Sequence, residues 1–161
     1  MAGAGSDRGF TLIELVTVII LIGILAVVAL PRLDSARDFR AAAFRDQVAA
    51  SLRYAQKSAV AKRRLVCATV AADGSNLSLA AAASFGAGAC ANALAGANGA
   101  NPAAVSPSAG ITVGAAPAGP LYFQPSGAVT SDAAGTTATT FLLTVTGQTP
   151  ITVTGATGDV E

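Results

Sequence analysis

The sequence contains no histidine and no tryptophan among its 161 residues, and charged residues make up only 12% of it. Histidine is the commonest general base and a frequent metal ligand, so its absence removes the usual centre of many catalytic and zinc sites. The two cysteines, Cys67 and Cys90, cannot by themselves supply the roughly four clustered ligands of a zinc site. We therefore predict that the protein is not an enzyme and that it holds no metal or other cofactor.

Lysine and arginine are absent after Arg64, so the rest of the chain has no positive side chain. Its four acidic residues are Asp73, Asp132, Asp159 and Glu161, and they give it a net charge of −4. Because phosphates are neutralised by lysine and arginine, we expect nucleic acid not to bind this part of the chain. The part before it is basic, but Asp34, Asp38 and Asp46 interleave with its arginines, which favours a salt-bridged helix face over a nucleic-acid surface.

One long apolar run is present, from Phe10 to Leu30, and Pro31 follows it. A helix of about 21 residues would be about 32 Å long, close to the thickness of a bilayer core. Glu14 lies near the start of this run, although a carboxylate deep in a membrane helix costs about 2.5–3.5 kcal/mol. A partner charge would explain it, because cleavage between Gly9 and Phe10 would place a free α-amino group four residues from Glu14.

The segment 9–16 reads Gly-Phe-Thr-Leu-Ile-Glu-Leu-Val. Its first residue, Gly9, is the last residue of a polar leader. In this pattern the chain resembles the type IV pilin and pseudopilin family. The resemblance implies that a prepilin peptidase removes residues 1–9, that Phe10 becomes the N-methylated terminus, and that Glu14 is the charge partner between subunits. It also implies a single-pass protein of the bacterial inner membrane, with its C-terminal part in the periplasm, that later enters a filament.

Two other interpretations of the apolar run stay open: a secretory signal peptide cut after Ala29, and a plain membrane anchor. The apolar region of a signal peptide is usually about 7–15 residues long, and an acid inside it is atypical. A plain anchor would leave Glu14 unexplained. Charge counting alone would place the C-terminal part in the cytoplasm, because four arginines follow the run between residues 32 and 45. The resemblance implies the opposite orientation, which we adopt.

Two helical segments are predicted, residues 10–31 as a transmembrane or filament-core helix and residues 32–64 as an amphipathic stem. In the stem, apolar residues recur every three or four positions and form one helix face: Phe44, Val48, Leu52, Ala55 and Ala59. Gly23 and Pro31 weaken the first segment. We expect either a kink at Pro31 or, as the resemblance implies, a stretch from Gly23 to Pro31 that unwinds in the filament.

Residues 65–161 change to short β-type runs and are predicted to form the head. The expected strands are the hairpin 65–70 and 76–80, the single runs 111–113 and 121–123, and the hairpin 140–145 and 151–154. A loop of about residues 85–109 separates the first hairpin from the rest. The predicted fold class is α+β and pilin-like, with a long N-terminal helix packed on an antiparallel β-sheet head.

Within the family, the chain is similar to GspH/FimT-type minor pseudopilins and minor pilins in segments 52–60, 121–127 and 151–160. This implies a minor structural subunit of a type II secretion pseudopilus that takes part in protein secretion. Its partners would be other pseudopilins or pilins, the prepilin peptidase, the inner-membrane assembly platform and membrane lipid. The alternative is a minor type IV pilin that acts in pilus assembly or DNA uptake.

The two cysteines would meet oxidising conditions if the head lies in the periplasm. We therefore predict a Cys67–Cys90 disulfide that closes a loop of roughly 22–24 residues. Two buried thiols remain the alternative.

Overall fold

The computed structural model describes the backbone of residues 10–161 and the side chains of residues 10–26 and 36–161. This part of the chain forms one helix, α1 (Leu12–Lys62), followed by short strands. By its internal contacts the chain divides into two compact units, Met1–Arg37 and Asp38–Glu161. The second unit contains both sheets and the hydrophobic core, so the part of the stem after Asp38 belongs to the same unit as the strands.

The strands form two antiparallel sheets. Their bounds are β1 (Val66–Val70), β2 (Asn76–Ala81), β3 (Asn92–Ala93), β4 (Ala104–Val105), β5 (Val113–Ala116), β6 (Leu121–Phe123), β7 (Val129–Thr130), β8 (Phe141–Val145) and β9 (Ile151–Val153). The first sheet has the order β3-β2-β1-β6-β7, with β4 also paired to β2, and the second has the order β5-β8-β9. The predicted α+β fold, with a helix packed on antiparallel strands, is confirmed.

The predicted apolar face of the stem is the centre of the core. Every one of its five residues is buried, with at most 2% of its surface exposed: Phe44, Val48, Leu52, Ala55 and Ala59. They pack with the inward side chains of both sheets, which alternate along strands such as β8, where Phe141, Leu143 and Val145 are buried. The core therefore combines helix side chains that recur with a period of 3.6 residues and strand side chains that recur with a period of two residues.

The C-terminal segment after β9 is fastened to the stem by hydrogen bonds. The Arg53 guanidinium donates to the Val160 carbonyl oxygen at 3.0 and 3.2 Å, and the Gln56 amide donates to the Thr157 carbonyl oxygen at 2.8 Å. Val160 itself is buried and bridges to Val153. The stem thus contributes an apolar face to the core and polar side chains that hold the end of the chain.

Two expectations for the head are corrected by the strands. The predicted loop of about residues 85–109 contains β3 and β4, because this segment folds back along the open side of β2, pairing Ala80 with Ala93 and Leu77 with Ala104. The run predicted at 111–113 is a strand only from Val113 onward, since Ile111 turns into the core instead. The two predicted hairpins and the strand Leu121–Phe123 are present within one or two residues of their expected bounds.

The stem ends in a tight reversal at Arg63, which has a φ of 49°. The Arg64 amide donates to the Ala59 carbonyl oxygen and the Arg63 amide donates to the Val60 carbonyl oxygen. These two bonds are those of a Schellman helix cap, which places a left-handed residue, usually glycine, where Arg63 stands. A left-handed conformation costs a residue with a Cβ atom about 1–2 kcal/mol.

Asp132 organises the turn that follows β7. Its carboxylate accepts hydrogen bonds from the Thr136 amide at 3.1 Å, the Thr136 hydroxyl at 3.0 Å and the Thr137 amide at 3.1 Å. The Thr136 amide contributes most to holding the pKa of this carboxyl below its ordinary value of 3.8. These bonds therefore stabilise the folded state more when Asp132 is ionised than when it is protonated.

We expect the Asp132→Asn variant to lose less stability on acidification than the parent chain does. A carboxyl with a lowered pKa in the folded state stabilises it fully above the unfolded pKa, and this contribution disappears as the pH falls through the folded pKa. The pH range in which this contribution to stability is lost therefore lies below about pH 4. Urea midpoints measured by circular dichroism between pH 6 and pH 2.5 would test this, and parallel pH dependence of the two chains would contradict it.

Candidate functional site

The first unit exposes an apolar helix surface. Phe10, Leu12 and Ile13 are 76%, 82% and 67% exposed, and the large apolar side chains onward to Leu25 are also exposed. Soluble monomers rarely expose a continuous apolar surface of this extent, so the segment must be covered by a partner of similar character. Among the residues whose side chains the structure describes, no helix is both long enough and apolar enough to cross a membrane.

Glu14 lies in the first turn of α1, at the edge of this apolar surface. Its amide donates to the Thr11 hydroxyl oxygen at 3.3 Å, and its carbonyl oxygen accepts from the Thr17 hydroxyl at 2.9 Å. These bonds involve the backbone of Glu14 and leave its carboxylate exposed. No ion-pair partner for that carboxylate is found among the described residues. The sole acid of segment 10–26 is therefore available to a group from outside this part of the chain.

Thr11 has a structural role in this segment that was not predicted from the sequence. Its hydroxyl accepts from the amide three residues later, and its carbonyl oxygen accepts from the Leu15 amide at 3.1 Å, so it is the N-cap of α1. The pattern Thr-x-x-Glu just before an apolar run is the capping-box signature and could have revealed it. Glu14 thus has a second possible role, because an acid in the first turn also favours the helix start.

The structure describes some of the other predicted N-terminal sites and not others. Phe10 is the first described residue and is exposed, whereas Gly9 lies outside the described residues, as does the leader before it. Gly23 and Pro31 both have helical backbone within α1, and the side chain of Pro31 lies outside the described residues. The kink and the unwinding therefore both remain predictions.

The head has a disulfide between Cys67 and Cys90, the pairing expected from the sequence. It joins β1 to the segment before β3 and lies in a small apolar cluster with Leu65 and Ala82. Among the residues whose side chains the structure describes, no group of three or more potential ligand side chains is placed to hold a metal ion.

Comparison with known proteins gives two findings. Residues 5–30 match the prokaryotic N-terminal methylation motif. The fold is similar to the crystal structure of the type IV minor pilin FimU of Pseudomonas aeruginosa strain PAO1, with a TM-score of 0.50 and 22% sequence identity, over 79% of this chain and 90% of FimU. No curated protein sequence matches the chain significantly. The methylation motif at the start of an apolar helix and the similarity of the fold to a minor pilin together support a type IV pilin-like protein.

Proposed function

We propose that the protein is a minor structural subunit of a type II secretion pseudopilus. A prepilin peptidase cuts it after Gly9 and methylates Phe10, residues 10–31 hold it in the bacterial inner membrane, and its head lies in the periplasm. An inner-membrane assembly platform then moves it into the filament. The observation that carries this proposal is the exposed Glu14 carboxylate at the start of an exposed apolar helix.

The chemistry of Glu14 follows from what surrounds it once helices of several subunits pack together. The apolar side chains of segment 10–26 then leave water or lipid, and the carboxylate enters a medium of low dielectric constant. An unpaired charge there is costly, whereas a charge with a close partner of opposite sign is tolerated. The methylated amine of Phe10 remains a cation, so that of one subunit pairs with Glu14 of the next and fixes the register of the two helices.

The stretch from Gly23 to Pro31 is proposed to unwind during this packing. Glycine lowers helix propensity by about 1 kcal/mol, and proline lacks the amide hydrogen that the helix needs. Unwinding here would let the N-terminal segment shift to meet its neighbours without disturbing the head. A simple kink at Pro31 is the alternative.

A minor type IV pilin is the second candidate, and the similarity to FimU supports it equally well. In that case the same cleavage and the same Glu14 pairing serve pilus assembly. Use of the head in DNA uptake is disfavoured, because residues 65–161 contain no lysine or arginine to neutralise phosphates. Co-purification from a membrane extract separates the two candidates, since pseudopilins or a major pilin would be recovered as neighbours.

The test of the proposal is the Glu14→Gln variant, which keeps the size of the side chain and removes its charge. We expect it to be inserted, cut after Gly9 and methylated, as shown by the mass of its N-terminal peptide. We expect its incorporation into sheared filaments to fall about tenfold or more, since each 1.4 kcal/mol of lost pairing corresponds to a factor of ten. Normal incorporation would refute the proposed role of Glu14.

The matched control is Thr11→Ala, which removes the helix cap and leaves the carboxylate in place. Loss of an N-cap costs about 1 kcal/mol of helix stability but keeps the Glu14 charge, so this variant should be incorporated clearly better than Glu14→Gln. If Thr11→Ala failed as severely as Glu14→Gln, Glu14 would act through the start of the helix and the charge-pair mechanism would be wrong.

A further inference from the structure

Thr17 interrupts the apolar side chains that follow Glu14 in α1, and the pairing proposed for Glu14 does not account for it. In segment 10–26 the polar side chains are those of Thr11, Glu14 and Thr17, spaced three residues apart, and all three are exposed. Burying a hydroxyl among apolar neighbours costs free energy that valine, which has the same branched shape, avoids. A specific use of the Thr17 hydroxyl would explain why threonine stands at this position.

The helix itself fixes the orientation of the Thr17 hydroxyl. This hydroxyl donates to the Glu14 carbonyl oxygen at 2.9 Å, which commits its only hydrogen. The lone pairs of its oxygen remain, and no donor among the described residues reaches them. The Thr11 hydroxyl differs, because its oxygen already accepts from the Glu14 amide at 3.3 Å. Thr17 is thus a hydrogen-bond acceptor whose direction is set before any partner arrives.

This acceptor lies beside the side chain of Glu14. Residues three apart in a helix share a face, with Cβ atoms about 5–6 Å from each other, and Thr17 follows Glu14 by three residues. Because Cα–Cβ bonds tilt towards the helix N-terminus, the Thr17 side chain leans over the turn that contains Glu14. The carboxylate and the hydroxyl oxygen are therefore two neighbouring acceptors at the edge of the exposed apolar surface. We call them the Glu14–Thr17 pair.

We propose that the Glu14–Thr17 pair binds the methylated terminal amine of a neighbouring filament subunit, with Thr17 as the second acceptor. A singly methylated ammonium has two N–H groups, which diverge from the nitrogen. A hydrogen bond weakens steeply when it is bent, so a carboxylate aligned with one N–H leaves the other poorly aligned. An unpaired N–H of a cation is costly in a medium of low dielectric constant, and the Thr17 oxygen pairs with it.

This binding mode deepens the proposed function and rests on it, because it requires the helices of different subunits to pack around Glu14. The partner is any filament subunit with a methylated terminal amine, so one copy of this chain beside a neighbour of another kind is sufficient. The number of donors also matches the number of acceptors. Methylation leaves two N–H groups where an unmodified terminal amine has three, and the Glu14–Thr17 pair offers one acceptor group to each.

The test compares the entry of Thr17→Val and Thr17→Ser chains into sheared filaments, quantified by mass spectrometry against an isotope-labelled peptide. Valine keeps the branched shape and removes the hydroxyl, whereas serine keeps the hydroxyl. Both chains should be cut after Gly9 and methylated. We expect Thr17→Val to enter filaments about threefold to tenfold less than the parent chain, the factor for one hydrogen bond, and Thr17→Ser to enter as well as the parent. Parent-level entry of Thr17→Val would overturn the proposal.

A double-mutant cycle with Glu14→Gln separates binding of the amine from a general effect on the helix. If both side chains bind the same amine, Thr17→Val should lower entry by less than about twofold in the Glu14→Gln background, because loss of the carboxylate already removes the bound amine. Losses that multiply would show that Thr17 acts independently of Glu14 and would overturn the proposal.

The same cycle distinguishes failure of this binding mode from failure of the proposed function. Normal entry of Glu14→Gln would refute the charge pair itself, and with it the role of Thr17. A strong defect of Glu14→Gln together with normal entry of Thr17→Val would leave the charge pair in place and refute only the second acceptor.

Discussion

Replacing Gly158 with alanine is expected to lower the free energy of unfolding of the head by about 3 kcal/mol, a large value for one added methyl group. Gly158 has a φ of 68°, a conformation that alanine adopts only with strain. A Cβ atom at this position would also collide with the Gly127 carbonyl oxygen and lie 3.0 Å from the Gln56 amide nitrogen. The backbone at Gly127 cannot move freely, because its amide is bonded to the Gln124 carbonyl oxygen.

The collision acts on the contact that holds the C-terminal segment to the stem. The Gln56 amide that would be displaced donates to the Thr157 carbonyl oxygen at 2.8 Å. Three residues after Thr157, the Arg53 guanidinium donates to the Val160 carbonyl oxygen. A shift at residue 158 therefore strains both bonds and loosens Val160 from the core, which is why the effect should exceed that of backbone strain alone.

Gly147→Ala is the matched control for this prediction. Gly147 has a nearly equal φ of 72°, but an added Cβ atom would meet nothing within 4 Å. The Gly147→Ala variant should therefore be destabilised only by the strain of the left-handed backbone, about 1 kcal/mol. Urea unfolding of the full chains, followed by circular dichroism, measures both losses. Equal losses would show that the contact with Gly127 does not matter.

The parts of the fold that were predictable from the sequence are those built on local patterns. The stem face from Phe44 to Ala59 follows the helical period, and the hairpins of β1–β2 and β8–β9 combine alternating side chains with a short turn. The division into two sheets was not predictable, because it depends on which strands meet in space. Strands β3, β4 and β7 have two residues each, too few for a pattern, and are defined only by their pairing with other strands.

The same distinction holds for the functional residues. The segment from Gly9 to Glu14 is contiguous, so its spacing alone predicts the methylation motif that the comparison finds. The Thr11 cap was also readable from a local signature. The left-handed Arg63 was not, because the sequence signal for such a helix end is a glycine. Nor could any local pattern show that the Asp73 turn and the segment 106–112 line the same pocket.

Breaking the Cys67–Cys90 disulfide is expected to lower the free energy of unfolding by about 3 kcal/mol in the chain-entropy model. The two cysteines are separated by 23 positions in the sequence, and the bridge ties a segment of few apolar side chains to β1. Much of the stem side of the core is alanine: Ala41, Ala49, Ala55 and Ala59. Because alanine buries little apolar surface, the covalent restraint is a large share of the marginal stability of such a head.

The measurement compares urea unfolding of the parent chain with and without a phosphine reductant. The reduced chain should unfold at a lower urea concentration, and its segment between Cys90 and β3 should exchange amide hydrogens faster, because the covalent link to β1 is broken. The double variant Cys67→Ala, Cys90→Ala is the control and should resemble the reduced chain whether or not reductant is present. An unchanged midpoint on reduction would contradict the prediction. A large shift would mean that the head reaches full stability only after oxidation, so that the proposed periplasmic location would contribute directly to its folding.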